Sequence, residues 1–359
     1  MSVINAGDPT LFDMVQRTDP NGAIANIIEA VSRRNVILQD AAAKEGNLAT
    51  GHKFTSRNTL PIVGWRQFND GVATSKSTTE TFNEVTGMLE GFSAVDCGLA
   101  ALNGNQAAFR ASEDKAFVQS LSIEATRALM YASVNTNPEQ IHGFIPRFDS
   151  LSGVTGTGAE NGVGTIVNYA DAFYSGVGAG AGADQASILF VCWSQEGGAS
   201  LIYPKGMNGG MMSEDLGKQL WDAGAPNPSG GTPNGKKYTA WVSHWKWNLG
   251  LCIEDPRQIA RVCNIDESSL LAAPGASDAN LGAIVNAMIA AYYRLYDPQF
   301  GKLMIYTGRR VAEFLHRGAM AKASNLISLD IYAGRPVTTF MGYPIRVLDA
   351  MTASEAVVA

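Results

Sequence analysis

Two β-patterned arms around a polar tip make up the segment from His52 to Asp96. The apolar residues of these arms are Ile62, Trp65 and Phe68 on the way out and Phe82, Val85, Met88, Leu89 and Phe92 on the way back. Between the arms, residues 73–81 (ATSKSTTET) are mainly small or hydroxylated and carry a single lysine, Lys76. A two-stranded ribbon of this length is only marginally stable alone in water. We therefore expect it to lie on another surface, either of its own chain or of a neighbouring one.

A helical pattern follows the ribbon and favours a neighbouring chain as the surface on which the ribbon lies. Ser112 is predicted as the N-cap, and Glu113 and Asp114 place acids in the first turn. One apolar stripe at helical spacing contains Phe117, Leu121, Ala125, Ala128 and Leu129. A helix over 113–133 would be about 30 Å long at 1.5 Å per residue. A long extended arm joined to a long helix is typical of a flat building block rather than of a compact enzyme.

The remaining pattern predicts an arm and an α+β body. An amphipathic helix is expected from Asn21 to Lys44, with Gly46 as its stop. Glycine-rich stretches at 150–185 and 224–235 indicate loops or connections. The other predicted elements are strands at 187–193, 238–253, 303–306 and 343–348 and helices at 256–263, 280–293 and 310–322.

Composition limits the possible functions without naming one. Only 17% of the 359 residues are charged, against about 25% in a typical domain, which suggests surface buried between subunits. A net charge of −6 argues against a nucleic-acid reader and leaves only weak, non-specific contact with DNA. The most apolar window, residues 281–293, is too short to cross a bilayer, and the first residues lack a signal-peptide pattern. We therefore expect no membrane association.

Catalytic, cofactor and metal motifs each fail for a physical reason. Residues 230–236 (GGTPNGK) have the spacing of a phosphate-binding loop, but Lys237 stands where Ser or Thr must bind the metal. The cysteines lack CxxC spacing and lie in or beside apolar runs, which is typical of small buried thiols in a reducing compartment. The four histidines are scattered in the sequence, and none has a second ligand at metal spacing. We expect no catalytic residue, no cofactor and no metal.

Strand alternation gives a structural role to an aromatic cluster instead. Trp241, Trp245 and Trp247 are predicted on one face of a strand, where they would fill a core or a subunit contact. His244 and Lys246 are predicted on the other face, toward water or a partner.

Several short runs, taken together, resemble one known family. They are Leu60-Pro61 with Gly64-Trp65-Arg66, SKSTT at 75–79, GMLE at 87–90, LNGN at 102–105, FRASED at 109–114, Asn137-Pro138-Glu139, YPKG at 203–206, EDLG at 214–217, HWKW at 244–247 and RVCNID at 261–266. In order and spacing these runs resemble the major capsid proteins of tailed bacteriophages, in particular the family typified by short-tailed phages of the epsilon-fifteen kind. The strand at 302–306, the helix at 310–315 and MGYPIRVLDAM at 341–351 are similar to the pattern of Hong Kong 97-type capsid subunits.

The resemblance implies a domain organisation. Residues 1–50 would be an N-terminal arm and residues 51–96 an extended loop. Residues 97–145 would form a peripheral domain with the 113–133 helix as its spine. Residues 146–359 would be mainly an axial domain, with a central β-sheet flanked by helices and some strands returning to the peripheral domain.

The resemblance also implies partners. Subunits would assemble in the host cytoplasm into pentamers and hexamers of an icosahedral phage head around double-stranded DNA. A separate scaffolding protein, a portal protein and a decoration or cement protein are further expected partners. The residues expected to contact a neighbouring subunit from the extended loop are Trp65, Arg66, Phe68, Ser75, Lys76, Ser77, Thr78 and Thr79.

Lys76 raises a separate question, because some related capsid subunits form a Lys–Asn isopeptide bond from this loop. No motif marks an acceptor Asn or an assisting Glu, so a solvated lysine or an ordinary interface salt bridge is the simpler interpretation. Two alternatives to a capsid protein stay open at this point. One is a hydrolase-type enzyme with a site in the glycine-rich middle, and the other is another virion protein such as a tail-tube subunit.

Overall fold

The computed structural model describes residues 35–102, 106–150, 166–168, 184–222, 237–267, 270, 277–320, 327–332 and 335–358. The helices of this part are α1 (Ile37–Asp40), α2 (Cys97–Ala101), α3 (Gln106–Tyr131), α4 (Ser277–Arg294) and α5 (Arg309–Met320). The strands are β1 (Ala43–Glu45), β2 (Gly51–Thr59), β3 (Thr78–Asp96), β4 (Ile166–Asn168), β5 (Gln185–Trp193), β6 (Ala199–Tyr203), β7 (Met211–Asp222), β8 (Lys237–Ile253), β9 (Ile259–Asp266), β10 (Lys302–Thr307), β11 (Ile327–Tyr332), β12 (Arg335–Phe340) and β13 (Tyr343–Val347).

The chain divides into two compact units, and β3, α3 and β8 each contribute to both. The larger unit takes its described residues from 34–87, 126–209 and 249–359. We call this unit without the extended loop, that is without residues 51–87, the body. Its centre is β5, which pairs antiparallel with β10 on one side and with β9 on the other. All nine residues of β5 are buried, as expected for a strand covered on both faces.

Helices α4 and α5 cover one face of this central sheet. Ile188, Phe190 and Cys192 of β5 point into a core that they share with apolar residues of the two helices. The opposite face carries Trp193, whose ring meets Phe144 edge-on at 5.8 Å and whose Nε1–H donates to the Tyr306 hydroxyl at 2.9 Å. Alternation along β5 thus assigns its side chains to two separate layers.

A buried ion pair fastens the end of the chain to the body. The Arg261 and Glu355 side chains are 2% and 3% exposed, and Arg261 Nη2 lies 2.8 Å from Glu355 Oε2. Arg261 also donates to Ser187 Oγ and to the Phe148 carbonyl, while Tyr131 donates to the second Glu355 oxygen. These extra hydrogen bonds are what a desolvated ion pair needs in order to be tolerated.

The smaller unit takes its described residues from 88–125 and 210–248. Helix α3 packs on one face of its sheet, where Phe109 and Val95 meet Trp241. On the other face, Ala94, Ala240 and Val242 pack with Trp221 and Tyr238. None of the described helices combines the length and apolar character that a bilayer crossing requires.

Several sequence predictions are confirmed and others are wrong. The strands predicted at 187–193, 238–253, 303–306 and 343–348 and the helices at 280–293 and 310–322 are present with small shifts of their ends. The segment 256–263 is not a helix, because only Pro256–Gln258 forms a 3₁₀ turn before β9. The glycine-rich stretches lie largely outside the described residues, and so does the GGTPNGK run.

Two further corrections concern helix ends. The predicted helix Asn21–Lys44 does not reach Lys44, because α1 ends at Asp40 and residues 43–45 form β1. Its earlier part lies outside the described residues. Helix α3 begins at Gln106, so Ser112 is a helix residue and not its N-cap. The apolar stripe predicted for this helix is confirmed at Leu121, Ala125 and Leu129, which are buried.

Candidate functional site: the extended loop

The extended loop is a regular two-stranded ribbon only over the part that is farthest from its tip. Strands β2 and β3 pair antiparallel from Gly51 opposite Val85 to Thr59 opposite Thr78. Polar cross-strand contacts hold the pair, including a 2.6 Å hydrogen bond between the Thr59 and Thr78 hydroxyls. Pairing stops there, although the sequence pattern predicted strand residues as far as Phe68.

Residues 60–77, which we call the tip, have no strand pairing among the described residues. Pro61 lacks the N–H that a strand ladder needs. The Asp70 N–H donates to the Gln67 carbonyl at 3.3 Å, and Asn69 has φ +65°, which together form a local turn. The Ser75 hydroxyl donates to the Ile62 carbonyl at 2.8 Å and ties the two limbs of the tip together.

Large apolar side chains of the tip are in water. Trp65 and Phe68 are 105% and 99% exposed. Leu60, Ile62 and Val63 are exposed to 75%, 81% and 89%. Folded monomers rarely leave so much apolar surface together, and such patches generally mark an interaction site.

The structure places the predicted contact residues at this end of the loop. Of those residues, Trp65, Arg66, Phe68, Ser75, Lys76 and Ser77 belong to the tip, whereas Thr78 and Thr79 begin β3. All are exposed except Ser77, which is half-buried. The prediction of an outward strand through Ile62, Trp65 and Phe68 is wrong, because these residues lie in the unpaired tip together with the polar run that begins at Ala73.

Sequence reasoning missed Leu60, Ile62 and Val63 as candidate contact residues. The available signal was the run LPIV at 60–63, in which apolar residues follow one another without alternation around a proline. A half-buried strand alternates apolar and polar positions, so an unbroken run beside Pro61 argues against pairing.

At its other end, the extended loop is attached to the body by two clusters of charged residues. Arg147 holds the Glu84 carboxylate with both terminal nitrogens, at 2.6 and 2.7 Å. Glu254 accepts from the Lys44 ammonium and from the Gly197 N–H, and His52 Nε2 lies 3.5 Å from it. These contacts lower the pKa of Glu254, although burial opposes them.

The second cluster brings together three possible metal donors that the sequence did not reveal. The donor atoms of His52, Cys252 and Glu254 lie within 4.8 Å of one another. However, the Lys44 ammonium already bonds to Glu254, and burial raises the pKa of Cys252 to about 12. A metal would have to displace that ammonium and deprotonate the thiol, so an ion-pair cluster is the better interpretation of these residues.

In the smaller unit, the side chains of β8 alternate between the two faces of the sheet as predicted. Trp241 lies beneath the Arg110 guanidinium, 5.0 Å from the ring centroid. His244 stacks on Phe92 with centroids 4.4 Å apart, and both His244 and Lys246 contact Glu90. Trp241, Trp245 and Trp247 are only half-buried, so they line the sheet surface and do not fill a fully buried core.

Comparison with known proteins gives a consistent picture. The family model of the major capsid protein GP7 matches residues 19–359. Among solved structures, a near-atomic structure of bacteriophage Epsilon15 is 28% identical, with a TM-score of 0.71, 100% of this chain covered and 99% of the other. No curated protein matches the chain.

Two further structures are less similar. The capsid of a native GTA particle is 11% identical over 69% of this chain and 95% of its own, with a TM-score of 0.43. The capsid of bacteriophage JBD30 is 10% identical over 91% of this chain and 95% of its own, with a TM-score of 0.42. On the family match, the chain belongs to the major capsid protein GP7 family, with the α+β Hong Kong 97-type fold and a structural role in a bacteriophage capsid.

Proposed function

We propose that the tip of the extended loop contacts a neighbouring subunit of the shell and that this contact holds subunits together. The observation that carries the proposal is the near-complete exposure of Trp65 and Phe68. While they are exposed to water, these rings contribute nothing to the stability of the isolated chain, because they cover none of its surface. Buried against a second chain, aromatic side chains of this size are typical interface anchors.

Charged and hydroxyl groups of the tip fit the rim of such a contact. Arg66, Lys76 and Asp70 are exposed around the apolar residues, and Ser75 to Thr79 add hydroxyl groups. Interfaces between proteins combine an apolar centre with a polar rim in this way. Lys76 is proposed as an ordinary rim residue and not as a covalent cross-link.

We further propose that the chain has no enzymatic activity. Three largely shielded acids, Glu84, Glu254 and Glu355, are each engaged by an Arg or Lys. Burial raises the pKa of the Cys192 and Cys252 thiols, which keeps them protonated and poorly nucleophilic. These groups stabilise the fold, and they leave no free acid–base pair for catalysis at these positions.

We also propose a higher-order assembly, on the basis of the family to which the chain belongs. Pentamers and hexamers of this chain would form an icosahedral head around double-stranded DNA. A separate scaffolding protein, a portal protein and a decoration or cement protein would be the other partners. The net charge of −6 supports only weak contact with DNA, which suits a lining against which packaged DNA must slide.

The test is to remove the tip while keeping the paired strands. In the tip-replacement variant, residues 61–76 are replaced by a short Gly-Ser linker, and circular dichroism and thermal unfolding are compared with the wild type. We expect an intact fold, because the tip covers no body surface, and no stable shells in electron microscopy. Closed shells of uniform diameter from this variant would refute the proposed role of the tip.

A further inference from the structure

The two strands of the extended loop are fastened to the body at their lower ends. We call this region the root, which comprises residues 44–53 and 84–87. A Cβ atom on Gly51 would lie 1.9 Å from the Glu84 carbonyl oxygen, and one on Gly46 would lie 2.3 Å from the Gly51 carbonyl oxygen. Only glycine fits at these positions, so the backbone of the root is tightly packed.

Strand β3 is held by the first charged cluster. Glu84 and Arg147 form a bidentate pair whose side chains are 14% and 18% exposed. Arg147 is itself held, because its Nη2 donates to the His142 carbonyl at 3.1 Å. Bidentate pairs that are largely shielded from water fix geometry far better than surface ion pairs.

Strand β2 contacts the second cluster through His52, whose Nε2 lies 3.5 Å from Glu254. His52 lies directly opposite Glu84 in the ribbon, so the two strands are fastened at the same level. His52 Nε2 approaches Glu254, which is anchored in turn by Lys44 and by the Gly197 N–H. Above this level, Lys53, Thr55 and Arg57 are exposed on the outer side of β2.

We propose that these two clusters set the direction in which the extended loop leaves the body, so that its tip meets a second copy of this chain. Glu84, Arg147, Lys44, His52 and Glu254 are thus positioning residues for assembly. This inference rests on the proposed function of the tip, since direction matters only if the tip has a target.

The length of the ribbon makes the direction important. The nine residues of β2 span about 30 Å at roughly 3.3 Å per residue. A swing of about 10° at the root would therefore move the tip by about 5 Å, on the same strand geometry. That displacement is enough to remove an aromatic side chain from a fitted pocket.

The direction of the loop can be measured in the unassembled full-length chain with two spin labels. The labels are placed at Thr74→Cys on the tip and Lys205→Cys on the body, both exposed positions, in a Cys97→Ser background. The other three cysteines are buried. We expect one narrow distance distribution for the parent chain and a broad one for the double variant Glu84→Gln/Glu254→Gln. Arg57→Gln is the matched control, because it removes an exposed charge from the same ribbon. Its distance distribution should stay as narrow as that of the parent chain.

Assembly gives the second measurement. The double variant should yield irregular particles or none, whereas the charge swap Glu84→Arg/Arg147→Glu should recover shells relative to Glu84→Gln alone. If the double variant does not fold by circular dichroism, the single Glu84→Gln variant takes its place in both measurements. A merely structural pair would lower the unfolding temperature without broadening the distances.

The outcomes separate this inference from the proposed function. Normal shells from the tip-replacement variant would refute the contact itself. If that variant fails to assemble while Glu84→Gln/Glu254→Gln shows narrow distances or forms normal shells, the positioning role is overturned and the tip contact stands.

Discussion

Replacing Trp65 with alanine should leave folding unchanged and strongly weaken assembly. The indole is 105% exposed, so its removal costs the isolated chain no packing. Surface substitutions of this kind usually change the free energy of unfolding by less than about 0.5 kcal/mol. The effect should therefore appear only where a second chain is present.

The magnitude follows from the area that the ring can bury. A tryptophan buries about 150–250 Å², which at about 25 cal/mol per Å² corresponds to roughly 4–6 kcal/mol. Ordering costs at the interface and the methyl group that alanine retains reduce this to about 2–4 kcal/mol, the usual range for an aromatic anchor. At 1.4 kcal/mol per tenfold change, the concentration needed for assembly should rise by about 30- to 700-fold.

Light scattering across a concentration series measures this threshold, and thermal unfolding checks the fold. Trp65→Phe is the matched control, because it keeps an aromatic ring and should shift the threshold far less than alanine. Shells that form at the wild-type concentration from the Trp65→Ala variant would show that the indole is not buried between subunits.

Three further predictions concern other residues. Arg261→Met should lower the free energy of unfolding by about 3–5 kcal/mol, because it leaves the buried Glu355 carboxylate uncompensated, and denaturant titration would show whether the loss is smaller. Burial lowers the pKa of His52 and of His142, so the folded chain binds fewer protons than the unfolded one. The stability of the folded chain should therefore fall as the pH drops below about 6.5. An unfolding temperature that stays constant between about pH 7 and pH 5 would contradict this. Mature shells should dissolve into single-chain bands in hot detergent, whereas ladders that vanish in Lys76→Ala would reveal a covalent cross-link.

The sequence predicted the elements whose own residues carry a strong apolar or β-forming signal. Strand β5 is buried throughout, and its unbroken apolar run marked it correctly. Strand β8 was recognised from its aromatic and β-branched residues. The start of α3 was misplaced because Ser112 with two acids imitates an N-cap, although the helix continues through it from Gln106.

Other elements gave no sequence signal of sufficient strength. Strand β7 contains Glu, Asp, Gly, Lys and Gln, and its pairing with β8 comes from the tertiary hairpin and not from its own propensity. Strand β9 was mistaken for a helix because its apolar residues form short groups separated by Arg261 and Asn264, without the alternation of a half-buried strand, a pattern that periodicity alone does not resolve.

The candidate site was predictable only in part. The sequence indicated the tip as a surface for a partner, because an extended loop without a core needs one. The root was not predictable, since its ion pairs join Glu84 to Arg147 and Lys44 to Glu254 across long stretches of chain. Pairs of charged residues so far apart in the chain show no fixed sequence spacing from which they could be predicted, and only the fold brings them together.

Electron cryomicroscopy of assembled particles tests the central claim most directly. The account predicts closed shells in which residues 60–77 of each subunit lie against an adjacent subunit, with the Trp65 and Phe68 rings covered by it. Shells in which this segment projects into solvent, with both rings uncovered, would contradict the account.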